Sequence, residues 1–391
     1  MVISAWGHQS QTSTEKLGEG EVCSAVIFDG GSRYFKVGFG GEQAPRFVFP
    51  CMVGRYKRQS VMPGMDARDT FIGNEVTDKR GKLTINYPIE HGIITDWDDM
   101  EKIWHHAFYN VLHVDPEERP LLVTENINTP KSNKEKLIEV MFETFKVPAL
   151  YVAIQSILSL FSSGRTTGFV VNSGDQVTYN VAIDGGYILS DAIMNLQVSG
   201  WDLSMYLTKI LVDKGYSLST LAEWEMARAI KEKLCYVALD YAEEMHTEES
   251  SIEKKYELPD GRIITVGKER FRCPEALFRP SMLGVTSPGL HKNIYESLAK
   301  CDFEIRKIFY VNTILCGGNM LFPGLGERVA KEIKAQAPQM TKIKVIVPAE
   351  CRFSSWFGGS LLTTLNSFQH MWIYNYEYED FGASIIHRRC F

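Results

Sequence analysis

A chain of 391 residues, 45% hydrophobic and 23% charged, has the length for two domains or one large two-lobed domain and the composition of a soluble globular protein. Its net charge of −6 argues against a surface built to coat nucleic acid, and no run nears the roughly 18 apolar residues that span a bilayer. Its eight cysteines are scattered without a Cys-x-x-Cys pair, a pattern of buried, reduced thiols rather than zinc ligands or disulfides.

Residues 1–22 are polar and read as a flexible extension. From Ala25 an apolar run ends at Asp29, turns through Gly30-Gly31-Ser32 and resumes as an alternating run carrying Lys36, which predicts a β-hairpin over 25–39. Residues 54–69 read as a loop, with Val61, Met62 and Met65 around Pro63-Gly64 available to a partner. Helices are expected at 97–112 and 132–146, the second opened by a Ser132/Glu135 capping box, with a strand at 120–125. Residues 151–162 read as an apolar helix bearing Gln155, whose amide needs a partner. A second hairpin, over 168–183, passes from Val170-Val171 through Asn172-Ser173-Gly174-Asp175 and out by Val177.

Further helices are expected at 202–214 and 220–238, then a polar loop at 247–254 and a hairpin closed by Pro259-Asp260-Gly261. A strand, Gly317-Gly318 and a helix from Gly324 to Ala337 form a unit in which a ligand can approach the backbone closely. A second such unit is expected from a strand at 342–348 and the stretch Trp356 to Ser360. Tight Gly/Ser/Asp turns present consecutive N–H groups to anions, so the two hairpins suggest duplicated halves gripping a polyphosphate from both sides. The chain therefore reads as an α/β protein with an internal structural repeat and a cleft between lobes.

Several stretches carry a family resemblance. Tyr-Pro-Ile-Glu-His-Gly-Ile (87–93), Trp-Asp-Asp-Met-Glu-Lys-Ile-Trp-His-His (97–106) and Tyr-Val-Ala-Ile-Gln (151–155) resemble actin. So do Ile-Lys-Glu-Lys-Leu-Cys-Tyr-Val-Ala-Leu-Asp (230–240), Glu-Arg-Phe-Arg-Cys-Pro-Glu-Ala-Leu-Phe (269–278) and the final His-Arg-Arg-Cys-Phe, and the similarity runs over 23–391. It implies the actin/Hsp70/sugar-kinase fold, RNase H-like and duplicated, with two lobes in four subdomains around a nucleotide cleft. Subdomain 1 would hold 23–50, 88–162 and 354–391, and subdomain 2 would hold 51–87. Subdomain 3 would hold 163–198 and 286–353, and subdomain 4 would hold 199–285.

The resemblance further implies ATP or ADP with Mg²⁺ as cofactors. Asp29, Gly31, Ser32 and Lys36 would form one phosphate loop, and Ser173, Gly174, Asp175 and Val177 the other. Adenosine would rest against Gly200, Lys231, Glu232, Gly317, Gly318, Asn319, Phe322 and Arg352. Asp29, Gln155 and Asn172 would orient the metal's waters, and Gln155, Asn172 and Tyr179 stand at the catalytic positions. Implied partners are the chain itself or conventional actin in filaments, through 56–67, Glu223, Asp302 and Glu304, with a plug at 279–290. Actin-binding proteins would sit at a cleft lined by Phe161, Gly164, Thr166, Tyr187, Leu362, Leu365 and Met371. The implied location is the cytoplasm and cytoskeleton, with neither nucleic acid nor a membrane span.

Four departures qualify that reading. Actins carry aspartate, glycine and histidine where this chain has Asn172, Gln176 and Tyr179, and glycine where it has Arg33. Loss of a water-orienting carboxylate and imidazole predicts an ATPase with reduced hydrolysis, since misplacing a reactant by about 1 Å can cost on the order of 100-fold. Arg33 and Gln176 are expected to strain the backbone if their φ is positive. Three readings compete: a divergent filament-forming actin, a non-polymerising actin-related subunit using nucleotide structurally, and a kinase or chaperone ATPase of the same fold. The third has no substrate-phosphorylating carboxylate motif behind it.

Overall fold

The computed structural model describes residues 24–57, 70–218, 221–258 and 261–390. The expected extension 1–22, the loop residues Val61, Met62 and Met65, and the Pro259-Asp260 turn lie outside the described residues. Both expected hairpins form, and each founds a sheet. In the first, β1 (Val26–Gly30) pairs antiparallel with β2 (Tyr34–Phe39), which pairs with β3 (Phe47–Pro50). On the other side of β1 lie β4 (Leu121–Glu125) and β5 (Ala149–Ile154), both parallel, and the edge strand Ile373–Tyr374. The second sheet repeats the plan: β6 (Gly168–Ser173) pairs antiparallel with β7 (Thr178–Asp184) and parallel with β8 (Thr313–Cys316), which pairs parallel with β9 (Val345–Ile346). Tyr187–Ile188 and Met194–Leu196 extend it beyond β7.

The expected apolar helix at 151–162 is instead a strand followed by a helix. Every residue of β5 is buried, and central parallel strands covered on both faces read as unbroken apolar runs that periodicity alone cannot tell from a buried helix. The helix α1 (Gln155–Ser162) begins at Gln155 itself. The helices near 97 and 132 form as Trp97–His105 and Lys131–Glu139, each continuing into a π-helical turn. The capping box does not form, because Pro130 occupies the N-cap and draws Ser132 into the first turn; Glu135 meets His387 at 2.8 Å instead.

In the second half, α2 (Gly200–Asp213) and α3 (Leu221–Leu234) lie near their expected places. The polar stretch 247–254 contains the short helix Glu249–Ile252 and the start of the strand Lys254–Glu257, which pairs with Ile263–Val266. Helix α4 (Leu325–Gln336) follows β8 and Gly317-Gly318 as expected. The second Gly-Gly unit does not form: Gly358 and Gly359 fall inside α5 (Ser354–Thr363). A Cβ on Gly358 would lie 1.9 Å from the Leu158 carbonyl oxygen, so this glycine serves a helix crossing rather than a turn. Residues 54–56, expected in a loop, belong to the strand Val53–Tyr56 of a small sheet with Phe71–Ile72 and Leu83–Asn86.

Burial follows this layout. One core joins β1, β2, β4, β5 and α5, with Phe28 and Phe108 4.7 Å apart by ring centroid and Trp104 and Trp356 fully enclosed. Another joins the second sheet to α2, α3 and α4, and the small sheet has its own cluster of Met52, Phe71, Val76 and Leu83. The seven described cysteines are all buried and free. Among the described residues no helix is long and apolar enough to cross a membrane.

Candidate functional site

The two hairpin turns close alike. In the first, Gly31 N–H donates to the Tyr34 carbonyl at 3.0 Å; in the second, Gly174 N–H donates to the Val177 carbonyl at 2.8 Å. They face each other across a cavity of about 350 Å³. Gly31, Ser32 and Lys36 line it from the first turn, and Asn172, Gly174, Asp175 and Val177 from the second. Gly200, Lys231, Glu232, Gly317, Gly318, Asn319, Phe322 and Arg352 reach it from α2, α3 and the segments flanking β8 and α5, and Gln155 reaches it from the head of α1.

Three of the expected residues stand behind the wall instead. Asp29 is fully buried and its carboxylate accepts from Lys36 Nζ at 2.7 Å, Thr124 Oγ1 at 2.6 Å, Gln155 Nε2 at 3.1 Å and Ser355 Oγ at 2.8 Å. Burial alone would raise its pKa, but the Lys36 ammonium and the donated hydrogen bonds outweigh that and hold the carboxyl below its ordinary value. Ser173, also fully buried, bonds Thr178 Oγ1 at 2.6 Å and receives the Asn319 amide at 3.0 Å. Tyr179 is enclosed, and its hydroxyl accepts from Asn172 Nδ2 at 2.9 Å. Burial pushes its phenol pKa well up, so it stays protonated at neutral pH.

Glycine is required where backbones converge. Gly317 has φ +93°, and a Cβ there would lie 2.2 Å from the Ser173 carbonyl oxygen. A Cβ on Gly200 would lie 2.9 Å from the Gly174 carbonyl oxygen, which also accepts the Gly200 N–H at 3.0 Å. The start of α2 is thereby stitched to the second turn, with Ser199 and Asp202 forming a capping box. Lys231 Nζ donates to the Gly200 carbonyl at 2.5 Å, and burial lowers its pKa.

Neither Arg33 nor Gln176 has a positive φ, so the expected backbone strain is absent at both. Their side chains make contacts instead. Gln176 Oε1 accepts the His91 N–H at 2.8 Å. Arg33 donates to the Tyr87 hydroxyl at 3.0 Å and pairs with Glu225. Tyr34 and Arg228 also line the cavity: the Arg228 guanidinium donates to the Tyr34 hydroxyl at 2.8 Å, and Arg352 lies 4.8 Å from the Tyr34 ring centroid. Sequence reasoning missed this pair, although Tyr34 directly follows the first turn, the one signal that would have found it.

The site passes a chemical test for a nucleoside polyphosphate. It offers turn N–H groups, the Lys36 ammonium, a buried Asn319 Oδ1 with no partner, and glycines that let backbone approach. Among the described residues no three His, Cys, Asp or Glu side chains converge into a metal cage. Asp175 and Glu232 do bring carboxylates to the cavity, the donor type that magnesium takes together with substrate phosphates.

The family model for actin matches residues 20–391. This chain belongs to the actin family. The duplicated sheets with the cavity between them are the actin fold, and ATP binding is typical of the family. Within that family this chain puts Asn172 and Tyr179 in one hydrogen-bonded pair at the second turn, and joins the Arg33 side chain to Glu225 on α3.

Proposed function

We propose that this actin-family chain binds ATP with magnesium in the cleft, hydrolyses it slowly, and assembles into or onto actin-type filaments in the cytoplasm. The observation that carries binding is the meeting of the two equivalent turns on one cavity. In this reading turn N–H groups not spent on closing the turns, such as those of Ser32 and Asp175, donate to phosphate oxygens, and Lys36, fixed by Asp29, supplies a point charge. Lys231, Glu232, Phe322 and Arg352 enclose the nucleoside end. Magnesium, when bound, would neutralise phosphate charge, with Gln155 and Asn172, which line the cavity, as the residues to hold its waters and Asp29 behind them fixing Gln155 and Lys36.

Slow hydrolysis follows from the chain's own groups. Gln155 Nε2 is tied to Asp29, to the Gly30 carbonyl at 3.1 Å and to Thr124 at 3.2 Å, so it is well placed to orient but does not take a proton. Asn172 carries no charge, and Tyr179 is a buried phenol whose raised pKa keeps its proton. Neither can do what a carboxylate and an imidazole do for an attacking water. Of the four-subdomain division, 51–87 has a small cluster of its own, while one core joins the segments assigned to subdomains 3 and 4; Phe161, Leu362 and Leu365 would line the groove offered to actin-binding proteins.

The test is twofold. Titration with a fluorescent ATP analogue should show saturable, magnesium-dependent binding, and phosphate release under polymerising salt should run about 100-fold below that of a conventional actin. Sedimentation with and without conventional actin reads assembly. A protein that binds ATP but stays in the supernatant in both cases is a non-polymerising structural subunit; release at a conventional rate removes the argument from Asn172 and Tyr179.

A further inference from the structure

Arg33 sits at the tip of the β1–β2 turn and is 7% exposed. Its guanidinium reaches away from the first sheet in two directions. One nitrogen donates to the Tyr87 hydroxyl at 3.0 Å, and Tyr87 packs on the small cluster of Met52, Phe71, Val76 and Leu83. The other pairs with Glu225 on α3, a helix rooted in the second core through Ala227 and Ile230. One side chain therefore ties together the first sheet, the small sheet and the second lobe.

Glu225 gathers more than this one cation. Arg80, beside the small sheet, stands 4.0 Å away, and Arg228 on α3 itself lies 3.1 Å away. Arg228 in turn donates to Tyr34, the residue after Arg33. Asp175 and the edge-to-face pair Trp201 and Trp224 close the space around the bridge. Charge-assisted hydrogen bonds in such an enclosed setting are stronger than exposed ones and must break before their elements separate. Arg228 to Tyr34 is thus a second charged crossing, whereas the crossing from His91 to Gln176 described above is neutral and exposed.

Resting on the nucleotide reading above, we propose that Arg33 and Glu225 form a latch across the cleft mouth, whose opening sets the rate of nucleotide entry and exit. The Arg33 guanidinium is then a clasp on α3 rather than a phosphate ligand. A clasp changes both rates together; a phosphate ligand changes affinity.

The experiment uses the full chain loaded with a fluorescent ATP analogue and chased with excess ATP, for Arg33→Ala, Glu225→Gln and the double variant. Each single change should speed release roughly 10- to 100-fold, the factor expected from losing a charge-assisted hydrogen bond. The double variant should fall short of the product of the two single effects, because both singles remove the Arg33–Glu225 bond while each also loses contacts of its own, Tyr87 for Arg33 and Arg80 and Arg228 for Glu225. Fully multiplicative effects overturn the latch. Association should accelerate in parallel, leaving affinity within about threefold. Unchanged release overturns the latch, and so does weakened affinity at an unchanged association rate, the mark of a direct phosphate contact. Should no variant bind nucleotide, the nucleotide reading fails, and hydrogen exchange of the nucleotide-free chain decides the latch alone. Arg33→Ala should then quicken exchange in both 26–39 and 221–234, and equal protection in either segment overturns the proposal.

Discussion

Asp29→Asn tests whether the first turn is held by one buried anion. Wild-type Asp29 has no exposed surface and accepts from four side chains, while the Lys36 side chain beside it is 12% exposed. An asparagine must put its NH₂ where one carboxylate oxygen stood. In one orientation that NH₂ meets the Lys36 ammonium; in the other it meets the Gln155 amide, already donating to the Gly30 carbonyl. Either way a donor faces a donor, and Lys36 keeps its charge without a counter-ion. Removing one partner of a buried pair costs about 3–5 kcal/mol. Urea unfolding followed by tryptophan fluorescence should show that loss, since Trp104 and Trp356 lie in the same core. Asp29→Asn/Lys36→Met, which removes the orphaned charge as well, should recover more than half of it. A loss below about 1 kcal/mol, or no recovery in the double variant, refutes the reasoning.

Three further outcomes are expected. The stability gap between wild type and Asp29→Asn should depend on pH with a definite sign: a depressed folded-state pKa stabilises fully above the ordinary value of 3.8 and loses that contribution as pH falls through the folded value, so the two urea midpoints should converge in acid. Gly317→Ala, which sets a Cβ 2.2 Å from the Ser173 carbonyl oxygen at φ +93°, should cost at least about 1–3 kcal/mol and weaken ATP-analogue binding, read by melting and by titration. Asn172→Asp with Tyr179→His should raise single-turnover phosphate release by about 10²-fold or more, while Asn172→Asp alone, its new carboxylate bonded by the Tyr179 hydroxyl, should gain less.

Both hairpins were legible because their signals are local: β-branched runs broken by Gly, Ser and Asp at fixed offsets. The cavity-lining residues carried over from the family resemblance fell together for the same reason, each lying on a recognisable stretch. What the sequence concealed depends on partners distant in the chain. Tyr151 to Ile154 are a strand because neighbours cover both faces, which no window of sequence displays. Gly358 resembles a turn glycine until Leu158, 200 residues earlier by number, is brought against it. Arg33 looked like a strained intruder at a glycine position, yet its φ is ordinary and its role is set by Glu225 on another lobe. Asp29, Ser173 and Tyr179 were expected on the cavity surface, and only the packed structure shows that they support it from behind.

The buried thiols give the molecule its own gauge of opening. Cys51 and Cys390 belong to the first core, and Cys235, Cys273, Cys301 and Cys351 to the second, each shielded until its surroundings loosen. With Cys23 replaced by serine, a thiol-reactive dye would count the breathing of each lobe separately, and mass spectrometry of the labelled peptides would say which half yields first.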